Sequence, residues 1–365
     1  MSVYQSIDYQ LMLRAIEMAK NGMFTTAPNP NVGCVIAHGE DIVGEGFHYK
    51  AGEAHAEVHA LKAAGDKAKG ATVYVTLEPC SHYGRTPPCS EALIKAGVSK
   101  VVCAMEDPNP KVAGQGIQML RQAGIEVLVG LMEEEAHALN RGFIKLMKTG
   151  LPFVQLKMAA SIDGQTALSN GESQWITSSL ARSDVQHFRS KACAVLSTSK
   201  TVIDDDASLN VRWSELPECT QQKYPESELR QPVRIILDKN NNLSSSLKLF
   251  QADGEIVVVN SEEGNLDSPI DESGQFDLAE LFRRLAKSHH INHIWVEAGA
   301  TLGKSLIQAG LVDELVLYLA PKIMGSDGKG LFGALGIESM QDVININIQD
   351  VRHVGPDLRL VATLN

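Results

Sequence analysis

At 365 residues, 44% of them hydrophobic, the chain is long and apolar enough for two cores, and no composition bias marks it as disordered. Its formal net charge of -11, with no dense Lys/Arg block, argues against a nucleic-acid backbone as the main partner. No apolar run approaches the ~20 residues of a membrane-spanning helix, and Asp8, Arg14, Glu17 and Lys20 stand where a secretory leader would be apolar, so a cytoplasmic protein is expected.

Ile7, Leu11, Ala15 and Met18 recur at helical spacing and predict an amphipathic helix over 7–20. Alternation of Val73, Val75 and Leu77 predicts a strand over Thr72–Leu77. A helix over Ser90–Ala96 closed by Gly97, a strand over Lys100–Ala104, a helix over Gln115–Ala123 stopped by Gly124 and a strand over Glu126–Val129 follow. That alternation implies a parallel or mixed sheet with helices on its faces. Glu133–Met147 is expected as one helix, with Glu133, Glu134 and Glu135 at the favourable end of its dipole.

The Lys-Thr-Gly-Leu-Pro run from Lys148 to Pro152 is the expected boundary between domains of residues 1–148 and 149–365. Beyond it the α/β pattern begins again. Strands are expected over Phe153–Met158, Ala192–Leu196, Val233–Leu237, Glu255–Val259 and His293–Val296, and helices over Leu278–Ala286 and Leu302–Ala309. Residues 213–231 and 260–275 are polar and are expected as surface loops.

Six cysteines are too few and too scattered for a disulfide scaffold in this length. Cys34, Cys103 and Cys193 sit in apolar runs as buried thiols, and Cys219 falls in a polar loop. Cys80 and Cys89 are different, because they share a segment with His55 and Glu57. Two thiolates and an imidazole suit Zn²⁺, and a site with three protein ligands brings the pKa of a bound water to about 7. Glu57, two residues after His55, can move protons without being a ligand, which is the arrangement of zinc nucleobase deaminases. Eight residues separate Cys80 from Cys89, where the general signature has two. A structural zinc would instead need a fourth ligand, for which His48, His59 and His82 are available. Asn29, between two prolines, offers a donor and an acceptor to a base edge, or is a plain turn residue.

The second half has no G-x-G-x-x-G fingerprint. It does carry a strand over His293–Glu297, a small-residue turn over Ala298–Gly303 and a helix running through Ile307, whose first N–H groups could bind a pyrophosphate. Taken alone, Trp175 reads as packing and Asp204, Asp205 and Asp206 as a solvated turn.

Three motifs, PNPNVGCVI (Pro28–Ile36), GEGFHYKAGEAHAEVHAL (Gly44–Leu61) and EPCSHYGRTPPC (Glu78–Cys89), resemble the deaminase half of the bifunctional riboflavin-biosynthesis deaminase/reductases. LKMAASIDGQTA (Leu156–Ala167), ESQWIT (Glu172–Thr177), TVIDDDASLNVR (Thr201–Arg212) and the turn at Gly299 resemble the reductase half. The resemblance implies an α/β chain with an N-terminal cytidine-deaminase-like domain on a mixed sheet and a C-terminal dihydrofolate-reductase-like domain. It implies Zn²⁺ on His55, Cys80 and Cys89, with Glu57 as proton donor, Asn29 on the pyrimidine, and the Gly84–Pro88 insertion at the phosphoribosyl end, where Arg85 could meet the phosphate.

In the second half it implies NADPH near Ala159, Trp175, Thr201, Asp205 and the run Gly299, Ala300, Thr301, Leu302, Gly303, Lys304 and Ser305. Ser173, Arg189, Leu209, Arg212 and Glu297 would meet the sugar phosphate, with both arginines able to clamp it. The implied activity is zinc-dependent deamination of a diaminopyrimidinone ribosylamine phosphate, then NADPH-dependent reduction of its ribosyl group, in a homodimer formed through the second domain. The sequence departs from the family in STSKT (Ser197–Thr201) and at Asp204, which raises a role for Lys200 at the cofactor 2′-phosphate or, alternatively, an inactive second half. A nucleic-acid-editing deaminase and a zinc-stabilised scaffold are the other readings; the acidic charge and the long Cys80–Cys89 spacing weigh against the first.

Overall fold

In the computed structural model, which describes residues 3–83, 87–110, 112–260, 266–267, 270 and 274–364, the chain separates into two units, Met1–Gly150 and Leu151–Asn365. The elements of the first unit are α1 (Ser6–Ala19), β1 (Gly33–His38), β2 (Asp41–Phe47), α2 (Ala56–Ala64), β3 (Thr72–Val75), α3 (Cys89–Ala96), β4 (Lys100–Cys103), α4 (Gln115–Gln122), β5 (Glu126–Val129), α5 (Glu133–Leu139) and α6 (Arg141–Thr149). Its sheet has the order β2-β1-β3-β4-β5. β1 is antiparallel to β2 and β3, and β3, β4 and β5 are parallel, so the sheet is mixed. Val101, Val102 and Cys103 of β4 are all fully buried, as a strand covered on both faces requires.

Two glycines of β2 let α2 approach the sheet main chain to main chain. A Cβ on Gly44 would stand 2.3 Å from Ala60 O, and one on Gly46 would stand 2.5 Å from Ala56 O. Neither position can carry a side chain without moving the helix.

The single helix expected over Glu133–Met147 is two. Asn140 leaves helical geometry at φ -129, ψ 29 and divides α5 from α6. The physical reason lies elsewhere in the chain: the buried Asn140 amide accepts from Asn31 N at 2.7 Å and donates to Asn31 O at 2.9 Å.

The second unit comprises β6 (Phe153–Ser161), β7 (Gln165–Ala167), α7 (Ser179–Lys191), β8 (Ala194–Thr198), α8 (Ser199–Asp205), α9 (Glu218–Gln221), β9 (Val233–Leu237), α10 (Lys248–Gln251), β10 (Ile256–Asn260), β11 (Leu266–Asp267), α11 (Leu278–His289), β12 (His293–Glu297), α12 (Ala300–Gln308), β13 (Glu314–Ala320), β14 (Lys329–Gly330), β15 (Ile346–Val354) and β16 (Asp357–Leu364). The main sheet runs β11-β10-β9-β8-β12-β6-β13-β16-β15. It is parallel from β11 to β13 and antiparallel across β16 and β15. The carboxyl ends of β6, β12, β8 and β9 therefore lie together, where open α/β sheets bind ligands.

Residues 213–231 are not a free surface loop. Leu216, Thr220 and Tyr224 are buried, and the Trp213 indole donates to Tyr224 O at 2.7 Å. Within 260–275, Leu266–Asp267 pairs with β10, and part of that stretch lies outside the described residues.

Candidate active sites

In the first unit, His55 is the extended residue immediately before α2, Glu57 sits in the first turn of that helix, Cys80 follows β3, and Cys89 opens α3. His55 Nδ1 stands 3.5 Å from Cys80 Sγ and 3.4 Å from Cys89 Sγ. The three ligand atoms lie within 4.8 Å of one another, and among the described residues they form the only such His/Cys/Asp/Glu cluster. Hydrogen bonds from Cys89 and then from His55 outweigh burial and hold the Cys80 thiol well below its ordinary value, which favours the thiolate. The donor set, its spacing and this charge fit Zn²⁺ with a position left over, which is the catalytic type.

None of the possible fourth ligands joins the cluster. His82 is exposed. His48 stands edge-on to His55, with ring centroids 5.3 Å apart, but both of its nitrogens are engaged: Nδ1 with Ala54 O at 3.1 Å and Nε2 with the Asn29 amide at 3.0 Å. Burial pushes His48 below its ordinary value and favours the neutral ring. His48 therefore joins Asn29 to the site, a role its sequence position beside Phe47 and Tyr49 did not reveal. Asn29 is positioned in turn by its N–H, which donates to Thr26 O at 2.9 Å.

Glu57 is 3% exposed, and burial pushes its carboxyl up to about 7. A group at that value can hold and release a proton near neutral pH. A second carboxylate, Glu78, was not singled out from the sequence. It accepts from Asp107 N at 3.0 Å, Gly114 N at 3.0 Å, Gly116 N at 2.8 Å and Ile117 N at 3.2 Å, which pins the Pro79–Cys80 turn to the start of α4. Gly84, Arg85 and Thr86 lie outside the described residues.

In the second unit the strand ends open on a cavity of about 2400 Å³. Its wall includes Ala159, Trp175, Thr201, Asp205, Gly299, Ala300, Thr301, Leu302 and Ser305, together with Ser173, Arg189, Leu209, Arg212 and Glu297. Gly303 and Lys304 are not on that wall, because α12 turns Gly303 onto Met158 and Leu156 of β6, 3.5 and 3.7 Å from where a Cβ would stand. Trp175 is not core packing: it is 65% exposed, with the Arg182 guanidinium 4.5 Å from its ring centre.

Neither guanidinium expected to clamp a phosphate offers a free fork. Arg212 places its fork on Glu215 at 2.6 and 2.8 Å. Arg189 places Nη2 on Glu297 Oε2 at 2.9 Å and Nε on Oε1, and donates Nη1 to Asn210 O at 3.0 Å. Burial alone would raise Glu297, but the charge and hydrogen bonds of Arg189, and then Lys157, hold it down to about 2. Lys157, missed from the sequence, pairs in register with Glu297 across β6 and β12 and is pushed down by burial. Leu209 is buried with φ +55, and its loop is held from behind by Arg234 Nη1 on Ser208 O at 3.2 Å. Lys200 is on the wall, 82% exposed, and bonds Asp204 one helical turn away at 2.7 Å. Elsewhere, Cys34, Cys103 and Cys193 are buried free thiols and Cys219 is exposed, as their surroundings in the sequence predict.

Residues 5–105 match the cytidine and deoxycytidylate deaminase zinc-binding region, and residues 152–360 match the RibD C-terminal domain. The riboflavin biosynthesis protein RibD of Escherichia coli (strain K12) is 54% identical over 361 residues, covering 97% of this chain and 98% of that protein. RibD of Haemophilus influenzae is 50% identical over 366 residues, covering 99% and 98%. Among solved structures, Acinetobacter baumannii RibD matches with a TM-score of 0.90 at 45% identity over 98% of this chain and 99% of that one. A Thermotoga maritima protein described as a diaminohydroxyphosphoribosylaminopyrimidine deaminase/5-amino-6-(5-phosphoribosylamino)uracil reductase matches with a TM-score of 0.84 at 32% identity, covering 98% and 99%.

Proposed function

The chain belongs to the RibD family of bifunctional riboflavin-biosynthesis enzymes, and from that premise we propose how its residues divide the work. Its first unit is a cytidine-deaminase-like zinc domain and its second a dihydrofolate-reductase-like, NADPH-using domain. Residues 1–148 carry the deaminase and 149–365 the reductase, a division supported by the separation of the chain at Gly150. The substrate is 2,5-diamino-6-(5-phosphoribosylamino)pyrimidin-4(3H)-one, whose 2-amino group leaves as ammonia before the ribosyl group becomes ribityl.

His55, Cys80 and Cys89 would hold the zinc, which would supply the Lewis acidity that lowers the pKa of water toward neutrality. Glu57 carries a proton to the 2-amino nitrogen as its bond to the ring breaks, while Asn29 and His48 hold the pyrimidine. NADPH supplies the hydride for the second reaction. The first N–H groups of α12 would hold its pyrophosphate, with Ala159, Trp175, Thr201 and Asp205 beside it, and Ser173, Arg189, Leu209, Arg212 and Glu297 would receive the sugar phosphate, a reading supported by their sharing one cavity wall. Glu297 stays charged and accepts a hydroxyl hydrogen bond, and Lys157 lies alongside it.

The observation that carries this reading is the buried Glu57 beside the His55/Cys80/Cys89 cluster. Zinc-loaded protein given the diaminopyrimidinone substrate and NADPH should release ammonia and consume NADPH. Glu57→Gln should slow both by about 10²-fold or more, yet still consume NADPH at the wild-type rate when given the deaminated intermediate. Ammonia release that stays near the wild-type rate in Glu57→Gln overturns the assignment.

Two wider features belong to the same reading. The chain works in the cytoplasm, consistent with free thiols and with no described helix long and apolar enough to cross a membrane. It forms a homodimer through the second unit, where β15 is the last strand of the sheet and exposes Ile346, Ile348 and Val351. Light scattering should give twice the chain mass, falling to one chain in Val351→Lys; a monomeric wild type overturns the dimer.

A further inference from the structure

Glu297 ends β12 at the wall of the cavity, and its acceptor positions can be counted. An ionised carboxylate offers about four. Oε1 takes two donors, Arg189 Nε and the Trp295 indole Nε1 at 2.9 Å, and Oε2 takes one, Arg189 Nη2 at 2.9 Å. One position remains, and it is on Oε2.

Trp295 is fully buried in β12, where packing alone would be satisfied by any large apolar side chain. Its ring is fixed. It stacks on Phe188 with centroids 4.8 Å apart and 12° between planes, and the Arg359 guanidinium lies over Phe188 at 5.3 Å. Arg359 is itself held by Asp184 at 2.7 Å and Asp350 at 3.1 Å. The indole N–H thus reaches Glu297 from a seat with no rotational slack.

We propose that Trp295 is a positioning residue of the reductase: its N–H fills Oε1, so that Glu297 offers the sugar phosphate a single acceptor, on Oε2. The inference rests on Glu297 being a substrate contact. Without the N–H, Oε1 has an open acceptor of its own, and the carboxylate, still held by the Arg189 fork, can offer a hydroxyl either oxygen. Because the contact is made to substrate and transition state alike, its loss falls on KM rather than on kcat.

The test replaces Trp295 with 3-benzothienylalanine, which keeps the two-ring shape and lacks the N–H, alongside Trp295→Phe and Glu297→Gln in the full zinc-loaded chain. For the benzothienyl variant, KM for 5-amino-6-(5-phosphoribosylamino)uracil should rise severalfold, because the lost bond is made in the free enzyme too and only the presentation of the carboxylate changes. Its kcat and directly measured NADPH affinity should stay at wild-type levels, while its melting temperature falls as a buried acceptor loses its donor. Should Trp295→Phe fail to fold, the benzothienyl variant carries the result. A wild-type KM in that variant, with a raised KM in Glu297→Gln, overturns the positioning role and leaves the substrate site standing. A fall in kcat, or an equal loss of NADPH affinity, also overturns it, since Trp295 would then be acting otherwise or as packing. An unchanged KM in Glu297→Gln removes Glu297 from the substrate site and takes this inference with it.

Discussion

Glu57 in the first unit and Glu297 in the second are both buried carboxyls at the heart of a site, and their surroundings drive them in opposite directions. Glu57 is pushed up to about 7, with burial and the Cys80 thiolate outweighing the opposing effect of His55. Glu297 is held down to about 2, because the Arg189 fork and Lys157 outweigh the same burial penalty. Burial sets the stakes in both; the partner charge decides whether the group trades protons or stays an anion. On the proposed reading, the first unit would use its glutamate for acid–base chemistry and the second would use its glutamate as a fixed point of recognition.

The largest effect that would sharpen this contrast is at Glu57. Glu57→Gln should lower deaminase kcat by about 10²–10⁴, the usual worth of a positioned acid–base group, with the reductase rate on its own substrate unchanged. Equal losses in both rates would erase the distinction.

Next comes Arg189→Met, which would leave Glu297 buried without its cation. The pair is 10% and 11% exposed, and breaking such a pair costs about 3–5 kcal/mol. The three tryptophans, Trp175, Trp213 and Trp295, all belong to the second unit, so urea denaturation followed by their fluorescence reads that unit. The double variant Arg189→Met/Glu297→Leu should recover most of the loss; if it does not, the cost lies in packing rather than in the stranded charge.

The smallest effect concerns His187, pushed down to about 3 by burial and then by the charges of Lys191 and Arg359. The unfolded chain takes up this proton near pH 6.5 and the folded one does not. Stability is therefore fully present above that value and falls as pH drops toward 3. Between pH 6.5 and 5 the second unit should lose about 1–2 kcal/mol on this account. His187→Leu should flatten that part of the fluorescence-detected pH dependence, and an unchanged slope would remove His187 as its source.

The two sites were not equally legible. His55, Cys80 and Cys89, which the structure brings together as a candidate metal site, fall in one short segment, so residue type and spacing alone single them out. What holds that segment is less visible: Glu78 accepts from main-chain N–H groups as far along as Ile117, 39 positions away, and the break at Asn140 answers to Asn31, 109 positions away; no local propensity marks either. In the second unit Lys157 meets Glu297 only because β6 and β12 pair in that register, and neither strand's pattern announces its neighbour. Arg189 and Arg212 do line the cavity, but the carboxylates that occupy them were not legible, since an arginine in a sequence carries no record of its partner. The strands of the hairpin β1–β2 and of β13 to β16 were also passed over. β15 is mostly exposed along its length, so it lacks the half-buried alternation by which a strand is recognised.

Gly44 and Gly46 have a meaning for how this enzyme can change over time. Because α2 rests there on main-chain atoms, the placement of His55 and Glu57 is referenced to a part of the protein that substitution elsewhere leaves alone. Drift can exchange the apolar side chains around that helix for others of similar bulk at small cost to the placement of His55. The tolerance ends at two addresses, where one added methyl group would lift the helix and the chemistry with it.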